Sequence, residues 1–121
     1  MNSRNETGKL GELAARRHLV SIGYSVLGSN VRCGRNEIDI VAEHEGTLVF
    51  VEVRTRRGKG MGIPEESITS KKRHGMLAAA HAYLDASGKW ERHWRIDIVA
   101  VEIDRNDGVS RLDVIPNAVE M

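Results

Sequence analysis

Two acidic side chains stand on neighbouring predicted strands, where they could act together. Asp39 lies in the segment 37–43 and Glu52 in the segment 47–54, with the tight-turn sequence Glu45-Gly46 between them. If that turn has two residues, the strands form an antiparallel hairpin in which Asp39 faces Glu52. Side chains that face each other in this way have Cβ atoms about 4.5–5.5 Å apart. The spacing therefore predicts a pair of adjacent carboxylates.

Adjacent carboxylates repel each other unless a cation or a shared proton lies between them. One source of positive charge is Arg54, which is two residues from Glu52 and opposite Glu37 in the predicted hairpin. That arrangement would be a structural salt bridge. The other source is a metal ion, and ligands that are all oxygen favour Mg²⁺ or Mn²⁺ over zinc. Such an ion polarises a phosphate and activates a water, as phosphodiester hydrolysis requires.

Three blocks of sequence resemble a known family. They are Gly8-Lys9-Leu10-Gly11-Glu12-Leu13-Ala14, Asn36-Glu37-Ile38-Asp39 and Phe50-Val51-Glu52-Val53-Arg54. In order and spacing they resemble the YraN-like family of uncharacterised bacterial proteins, over about residues 7–103. Asp39 followed by Glu52 and Arg54 is also similar to the Asp…Glu-x-Lys signature of the restriction-endonuclease-like superfamily. That superfamily includes the archaeal Holliday-junction resolvases.

The resemblance implies a metal-dependent nuclease that acts on DNA, with branched or structured DNA as candidate substrates. It implies that Asp39 and Glu52 bind Mg²⁺ or Mn²⁺ together with the backbone carbonyl of Val53. Glu12 matches an acidic residue of the first helix that helps to bind the metal or to orient its water. Arg54 occupies the position of the catalytic lysine. The catalytic set implied by the resemblance is therefore Glu12, Asp39, Glu52 and Arg54.

Two positions depart from the pattern of the family. Arg54 stands where the usual residue is lysine, and Asn36 stands where it is glycine. Arginine keeps the positive charge and can bind a phosphate, but it is effectively never deprotonated. Arg54 could therefore stabilise charge in a transition state, and it could not serve as a base.

The elements that must position these residues follow from hydrophobic periodicity and turn residues. The pattern predicts a first helix, three strands, a second helix and two further strands. Ser67 or Thr69 would cap the second helix and Gly88 would follow its end; Ser29–Arg35 and Thr55–Pro64 would be loops. The predicted elements are Asn5–Ile22, Tyr24–Leu27, Glu37–Glu43, Thr47–Arg54, a helix ending before Gly88, Arg95–Ile103 and Ser110–Ile115.

The order of these elements predicts an α/β fold. A helix lies between the strand at 47–54 and the strand at 95–103, and such a crossover normally makes two strands parallel. Apolar residues occupy successive positions of the 47–54 strand, so both of its faces should be at least partly buried. We therefore expect a single restriction-endonuclease-like domain over residues 1–121, with a mixed sheet flanked by helices in the order α-β-β-β-α-β-β.

Positive charge is concentrated in one stretch of a nearly neutral chain. The net charge is +1, yet residues 54–75 contain seven Lys or Arg against two Glu. A basic stretch beside acidic surroundings indicates contact with a polyanion, whereas a solvated surface is the alternative. The predicted nucleic-acid contacts are Arg56, Arg57, Lys59, Lys71, Lys72 and Arg73.

Composition limits the classes of protein that remain. Charged residues make up 29% and hydrophobic residues 40% of the chain, which is typical of a folded domain. Cys33 is the only cysteine, so an intrachain disulfide or a cysteine-based zinc cage is excluded. The absence of a long apolar run and of a secretory leader predicts a cytoplasmic protein without a membrane contact.

Three functions remain open at this stage. The first is a metal-dependent nuclease, and resolvase-like relatives suggest a homodimer by analogy. The second is a nucleic-acid-binding module of the same fold without catalysis, which the arginine at position 54 favours. The third is a protein-interaction domain in which the carboxylates and arginines form structural ion pairs.

Overall fold

The computed structural model describes residues 3–58 and 68–119. Within them, a mixed five-stranded sheet is flanked by two helices in the predicted order. No helix in these two segments combines the length and apolarity that crossing a membrane requires. The elements are α1 (Ser3–Ser21), β1 (Ser25–Cys33), β2 (Asn36–His44), β3 (Thr47–Arg57), α2 (Ser70–Ser87), β4 (Trp94–Ile103) and β5 (Val109–Ile115).

The sheet order β1-β2-β3-β4-β5 follows the chain order. β3 and β4 are parallel and the other neighbouring pairs are antiparallel. The predicted crossover through α2 is therefore confirmed. α2 begins after Thr69, whose side-chain oxygen accepts from Lys72 N, and ends before Gly88 in a left-handed conformation. Thr69 is thus the cap, and the alternative cap Ser67 lies outside the described residues.

Two predicted strand ends are wrong. β1 continues through most of the predicted loop at Ser29–Arg35, because Ser29, Val31 and Arg32 pair with β2 at the edge of the sheet. Polar residues are tolerated there because one side of an edge strand faces water. β3 continues to Arg57, because its last three residues pair with Val101–Ile103 of β4. Neighbouring strands, rather than local composition, set both ends.

Buried side chains cover both faces of the sheet, as predicted. On one face Val49, Val51 and Val53 pack with Ala15 and Leu19 of α1. On the other face Leu48 and Phe50 pack with Ala79, Ala80 and Leu84 of α2. β3 is therefore the central strand of a three-layer α/β domain.

A buried polar cluster that the sequence analysis did not identify lies on the α1 side. The side chain of Asp97 is fully buried and accepts from Tyr24 Oη at 2.8 Å, Arg95 Nε at 2.9 Å and the backbone N–H of Asn117 at 2.9 Å. The ring of His44 stacks on Tyr24 with the centroids 4.2 Å apart. The cluster links β4 to the end of the helix α1 and to the C-terminal segment.

Candidate active site

The hairpin between β2 and β3 has the predicted turn and register. Glu45 and Gly46 have φ values of 50° and 80°, as a two-residue type I′ turn requires. The ladder runs from His44–Thr47 to Ile40–Val51, so the predicted pairings of Asp39 with Glu52 and of Glu37 with Arg54 are not part of it. The strands separate immediately beyond Ile40–Val51.

Asp39 lies at the point where the two strands separate. In a continuous ladder, the N–H of Val53 would donate to the backbone carbonyl of residue 38. It donates instead to Oδ2 of Asp39, at 2.8 Å. The carboxyl groups of Asp39 and Glu52 line the same cleft, and the charge of Glu52 acts on Asp39. The predicted pair of carboxylates is therefore present, at an opening in the sheet.

The proximity and burial of these carboxylates make one of them weakly acidic. Burial, and then the charge of Glu52, raise the pKa of Asp39 to about 7, against the opposing effect of the hydrogen bond from Val53. Burial also raises the pKa of Glu52, and the neighbouring cations Arg54 and Lys72 partly offset this increase. The pair therefore retains a proton close to neutral pH.

Glu12 approaches the same opening from α1. A cleft of about 460 Å³ is lined by Gly8, Glu12, Asp39, Glu52, Val53, Arg54 and Thr55. Burial, and then the charge of Asp39, raise the pKa of Glu12. The helix lies close to β3 because Gly11 has no side chain: a Cβ there would collide with the side chain of Thr55. Close packing of α1 on the strand thus brings Glu12 into the cleft.

The carboxylates of Asp39 and Glu52 fit a hard divalent cation that takes only a few of its ligands from the protein. In the described part of the chain, no three His, Cys, Asp or Glu side chains are grouped so as to hold a metal ion. Asp39 and Glu52 supply two carboxylates, and Mg²⁺ typically binds through one or two carboxylates while it keeps several waters. A cation between them would also replace the proton that the pair retains.

Positive charge lies next to Glu52 on two sides. Nη1 of Arg54 is 3.7 Å from Oε1 of Glu52, and both side chains are mostly buried. A second cleft, of about 440 Å³, lies at the start of α2. Its lining consists of Asn36, Glu37, Glu52, Thr69, Lys71, Lys72, Gly75 and Met76. Glu52 therefore lies between a carboxylate cleft and a lysine cleft.

The other predicted nucleic-acid contacts are distributed differently. Arg56 forms an ion pair with Glu102 on the neighbouring strand. Arg57 donates to Oδ1 of Asp107 at 2.7 Å, in the turn after β4. Arg73 is exposed and donates to the backbone carbonyl of Ala118. Lys59 lies outside the described residues. Of the predicted basic residues, the structure thus brings Lys71 and Lys72 to Glu52.

Comparison with known proteins identifies the family. The profile of "Uncharacterised protein family UPF0102" matches residues 11–101. The chain belongs to this family. A UPF0102 protein of Roseiflexus castenholzii is 47% identical over 118 residues, covering 97% of this chain and 95% of that protein. A relative from Ectopseudomonas mendocina is 40% identical over 121 residues and 99% of both chains, and one from Moorella thermoacetica is 41% identical over 116 residues.

The matched range of the UPF0102 profile contains the three carboxylates of the cleft and Arg54. Glu12 lies at its start, and Asp39, Glu52 and Arg54 lie well within it. The resemblance to the YraN-like family, which is this same family, is therefore confirmed. Glu37 and Asn30, which the sequence analysis did not propose, lie beside the site as well. Glu37 is two residues before Asp39, and that proximity is the signal that could have identified it.

The raised pKa of Asp39 predicts a pH dependence of stability in this UPF0102 protein. The folded chain holds this proton more tightly than a free aspartic acid, whose pKa is 3.8. The resulting stabilisation is fully present below about pH 4 and is lost as the pH rises through about 7. Asp39→Asn should lack this loss, because the amide is always neutral. Urea unfolding between pH 4 and pH 8 in EDTA measures the difference.

The control for this experiment is Asp113→Asn, which removes a half-exposed carboxylate of β5 that pairs with Arg111. This variant should follow the wild-type pH profile. If the profiles of wild type and Asp39→Asn are parallel from pH 4 to pH 8, the pKa of Asp39 is not raised.

Proposed function

We propose that this protein is a metal-dependent nuclease that hydrolyses phosphodiester bonds in DNA, including branched or structured DNA. The observation that carries the proposal is the position of Asp39 and Glu52 in one cleft, at the opening between β2 and β3. Two partly buried carboxylates close together are costly in a sheet unless a cation or a catalytic role compensates for them. The fit to a hard divalent cation and the adjoining basic cleft point to a phosphate substrate.

Each residue of the carboxylate cleft has a distinct role in this proposal. Asp39 and Glu52 would hold Mg²⁺ or Mn²⁺, with the Val53 carbonyl as a further candidate ligand. When bound, the ion supplies a Lewis acid and lowers the pKa of a water. Arg54 would donate to the phosphate oxygens as negative charge develops on them. Glu12, which lines the same cleft from α1, would orient the attacking water by accepting a hydrogen bond.

The lysine cleft supports a backbone contact next to the carboxylates. Lys71 and Lys72 lie in the first turn of α2, whose exposed N–H groups also favour anions. Two cations beside a helix N-terminus are unfavourable, and the charge of Glu52 compensates for Lys72 only in part, so a bound phosphate would stabilise them further. Because Glu52 lines both clefts, a phosphodiester bound at the lysines would lie close to the carboxylate pair.

Substitution of either lysine should weaken DNA binding. We expect Lys71→Ala and Lys72→Ala each to reduce the slope of log K against log [salt] by about 1, since each removes one phosphate contact. Lys89→Ala, just beyond the other end of α2, is the matched control and should leave the slope unchanged. Fluorescence anisotropy over a salt series, with Ca²⁺ or EDTA to prevent cleavage, measures the slopes. Equal losses in all three variants would show that the lysine cleft is not the contact surface.

A divalent metal should raise the melting temperature of the protein. An ion that binds only the folded state stabilises it by mass action, by about 2.7 kcal/mol at a concentration of 100 times Kd. Asp39→Asn and Glu52→Gln should each reduce the response to Mn²⁺, whereas Asp113→Asn should not. Thermal unfolding with MnCl₂ or with EDTA provides the measurement. A full response in both site variants would exclude this metal site.

The proposed activity itself is tested with several DNA structures. Purified protein would be incubated with duplex, single-stranded, flap and four-way-junction DNA in the presence of Mg²⁺, Mn²⁺ or EDTA. We expect cleavage with metal and none in EDTA or in Asp39→Asn. Salt-sensitive DNA binding without cleavage would favour the non-catalytic binding module, for which Arg54 in place of lysine is the supporting observation. Neither DNA binding nor a metal response would favour a protein-interaction domain.

A further inference from the structure

Asn30 of β1 connects two of the acidic residues around the site. The amide of Asn30 is assigned with its nitrogen towards these carboxylates, because only that orientation pairs donors with acceptors; Asn30 then donates to Oε2 of Glu12 and to Oε1 of Glu37, each at 3.2 Å. Glu12 belongs to α1 and Glu37 to β2. One neutral side chain thus joins a helix, an edge strand and the strand that carries Asp39.

The backbone at Asn30 is adapted to this position. Its φ is +50°, in the left-handed region that asparagine tolerates better than other side chains with a Cβ. Ser29 pairs with Ile40 and Val31 pairs with Ile38, so Asn30 is located beside Asp39. The left-handed residue therefore occurs where Asp39 turns to the N–H of Val53, next to the opening in the sheet.

The carboxylates near Asn30 would otherwise repel one another. The charges of Asp39 and Glu37 both act to raise the pKa of Glu12, and the charge of Glu37 also acts to raise the pKa of Asp39. An amide group has two N–H donors, so it can donate one hydrogen bond to each of two carboxylates. Because it carries no net charge, it does not reduce the negative charge that would attract a cation. A lysine or arginine at this position would compete with that cation.

We propose that Asn30 is a positioning residue for the active site: its amide ties Glu12 to Glu37 and so directs the Glu12 carboxylate towards the Asp39–Glu52 pair. The inference rests on the proposed function, because Glu12 has a task only if a cation or its water is present. Without the amide, repulsion from Glu37 and Asp39 turns the Glu12 side chain out of the cleft. Residues that orient the groups around a metal typically change metal affinity or activity by 10–100-fold.

The first test is the affinity for Mn²⁺, measured by isothermal titration calorimetry. Asn30→Gly keeps the left-handed backbone and removes the amide, and we expect it to weaken Mn²⁺ binding about tenfold. Asn30→Asp keeps the shape and exchanges the donors for a negative charge, so it should also disturb the position of Glu12. The matched control is Asn117→Gly. Asn117 also has a left-handed backbone conformation, with a φ of +51°, and it lies after β5 rather than beside the site. This variant should bind Mn²⁺ like wild type.

The second test needs no metal and separates this inference from the proposed function. Thermal unfolding in EDTA compares Asn30→Gly in wild type and in a Glu12→Gln, Glu37→Gln background. If the amide bridges the two carboxylates, the substitution lowers Tm in wild type and changes it less in that background. Equal Tm shifts in both backgrounds, or unchanged Mn²⁺ affinity in Asn30→Gly, would overturn the inference. If the wild-type protein binds no Mn²⁺, both the proposed metal site and the positioning role of Asn30 are wrong. If Asn30→Gly changes the Mn²⁺ affinity and the Tm as expected but the wild-type protein cleaves no DNA, only the proposed nuclease activity is wrong.

Discussion

Arg54→Ala is expected to reduce metal-dependent DNA cleavage by about 10²–10³-fold, whereas Arg54→Lys should retain comparable activity. The arginine is held beside Glu52, with Nη1 3.7 Å from Oε1, and lines the carboxylate cleft. From there it would donate to the phosphate as negative charge develops. The loss of one such preorganised donor typically costs about 10²–10³ in rate. Single-turnover cleavage of the best DNA substrate measures the effect on the chemical step.

The controls for this prediction separate catalysis from charge and contamination. Arg105→Ala removes an exposed arginine in the turn between β4 and β5 and should cleave like wild type. Asp39→Asn must abolish any activity that appears, in wild type and in Arg54→Lys alike. Cleavage that persists in Asp39→Asn or in EDTA would come from a contaminant. An inactive wild type with an active Arg54→Lys variant would show that the arginine has suppressed the chemistry of the site.

Asp97→Ala is expected to destabilise the fold by about 3–5 kcal/mol. Asp97 is fully buried and accepts hydrogen bonds from Tyr24, Arg95 and the backbone of Asn117. The substitution would leave the Arg95 cation without its buried partner, which is costlier than losing the interaction itself. For a domain of this size, the loss corresponds to a decrease in Tm of about 10 °C or more. Urea unfolding gives the free energy and thermal unfolding gives the Tm.

Two variants define what would contradict this expectation. Asp113→Ala removes a half-exposed carboxylate that also pairs with an arginine, and should cost less than about 1 kcal/mol. Asp97→Asn keeps the size of the side chain and part of its hydrogen bonding, so it should be milder than alanine. If Asp97→Ala and Asp113→Ala destabilise equally, the buried cluster does not contribute to stability in the way its contacts indicate.

Local sequence determined most of the fold because the signals concerned are local. The helix between two apolar strands predicts a parallel crossover, and apolar residues at successive positions predict a β3 that is buried on both faces. Glu45-Gly46 predicts the two-residue turn, and therefore the register as far as Ile40–Val51. The carboxylates Asp39 and Glu52 were recognisable for the same reason, because a hairpin converts spacing along the chain into proximity.

Only the tertiary structure decided how the candidate site is built. The separation of β2 from β3 at Asp39 does not follow from the turn, because the strands part where the Asp39 side chain takes the N–H of Val53. Lys72 reaches Glu52 through the placement of α2, and Asn30 reaches Glu12 through the packing of Gly11 against Thr55. Contacts of this kind join residues that are distant in sequence. They depend on how whole elements pack, which neither periodicity nor motif spacing records.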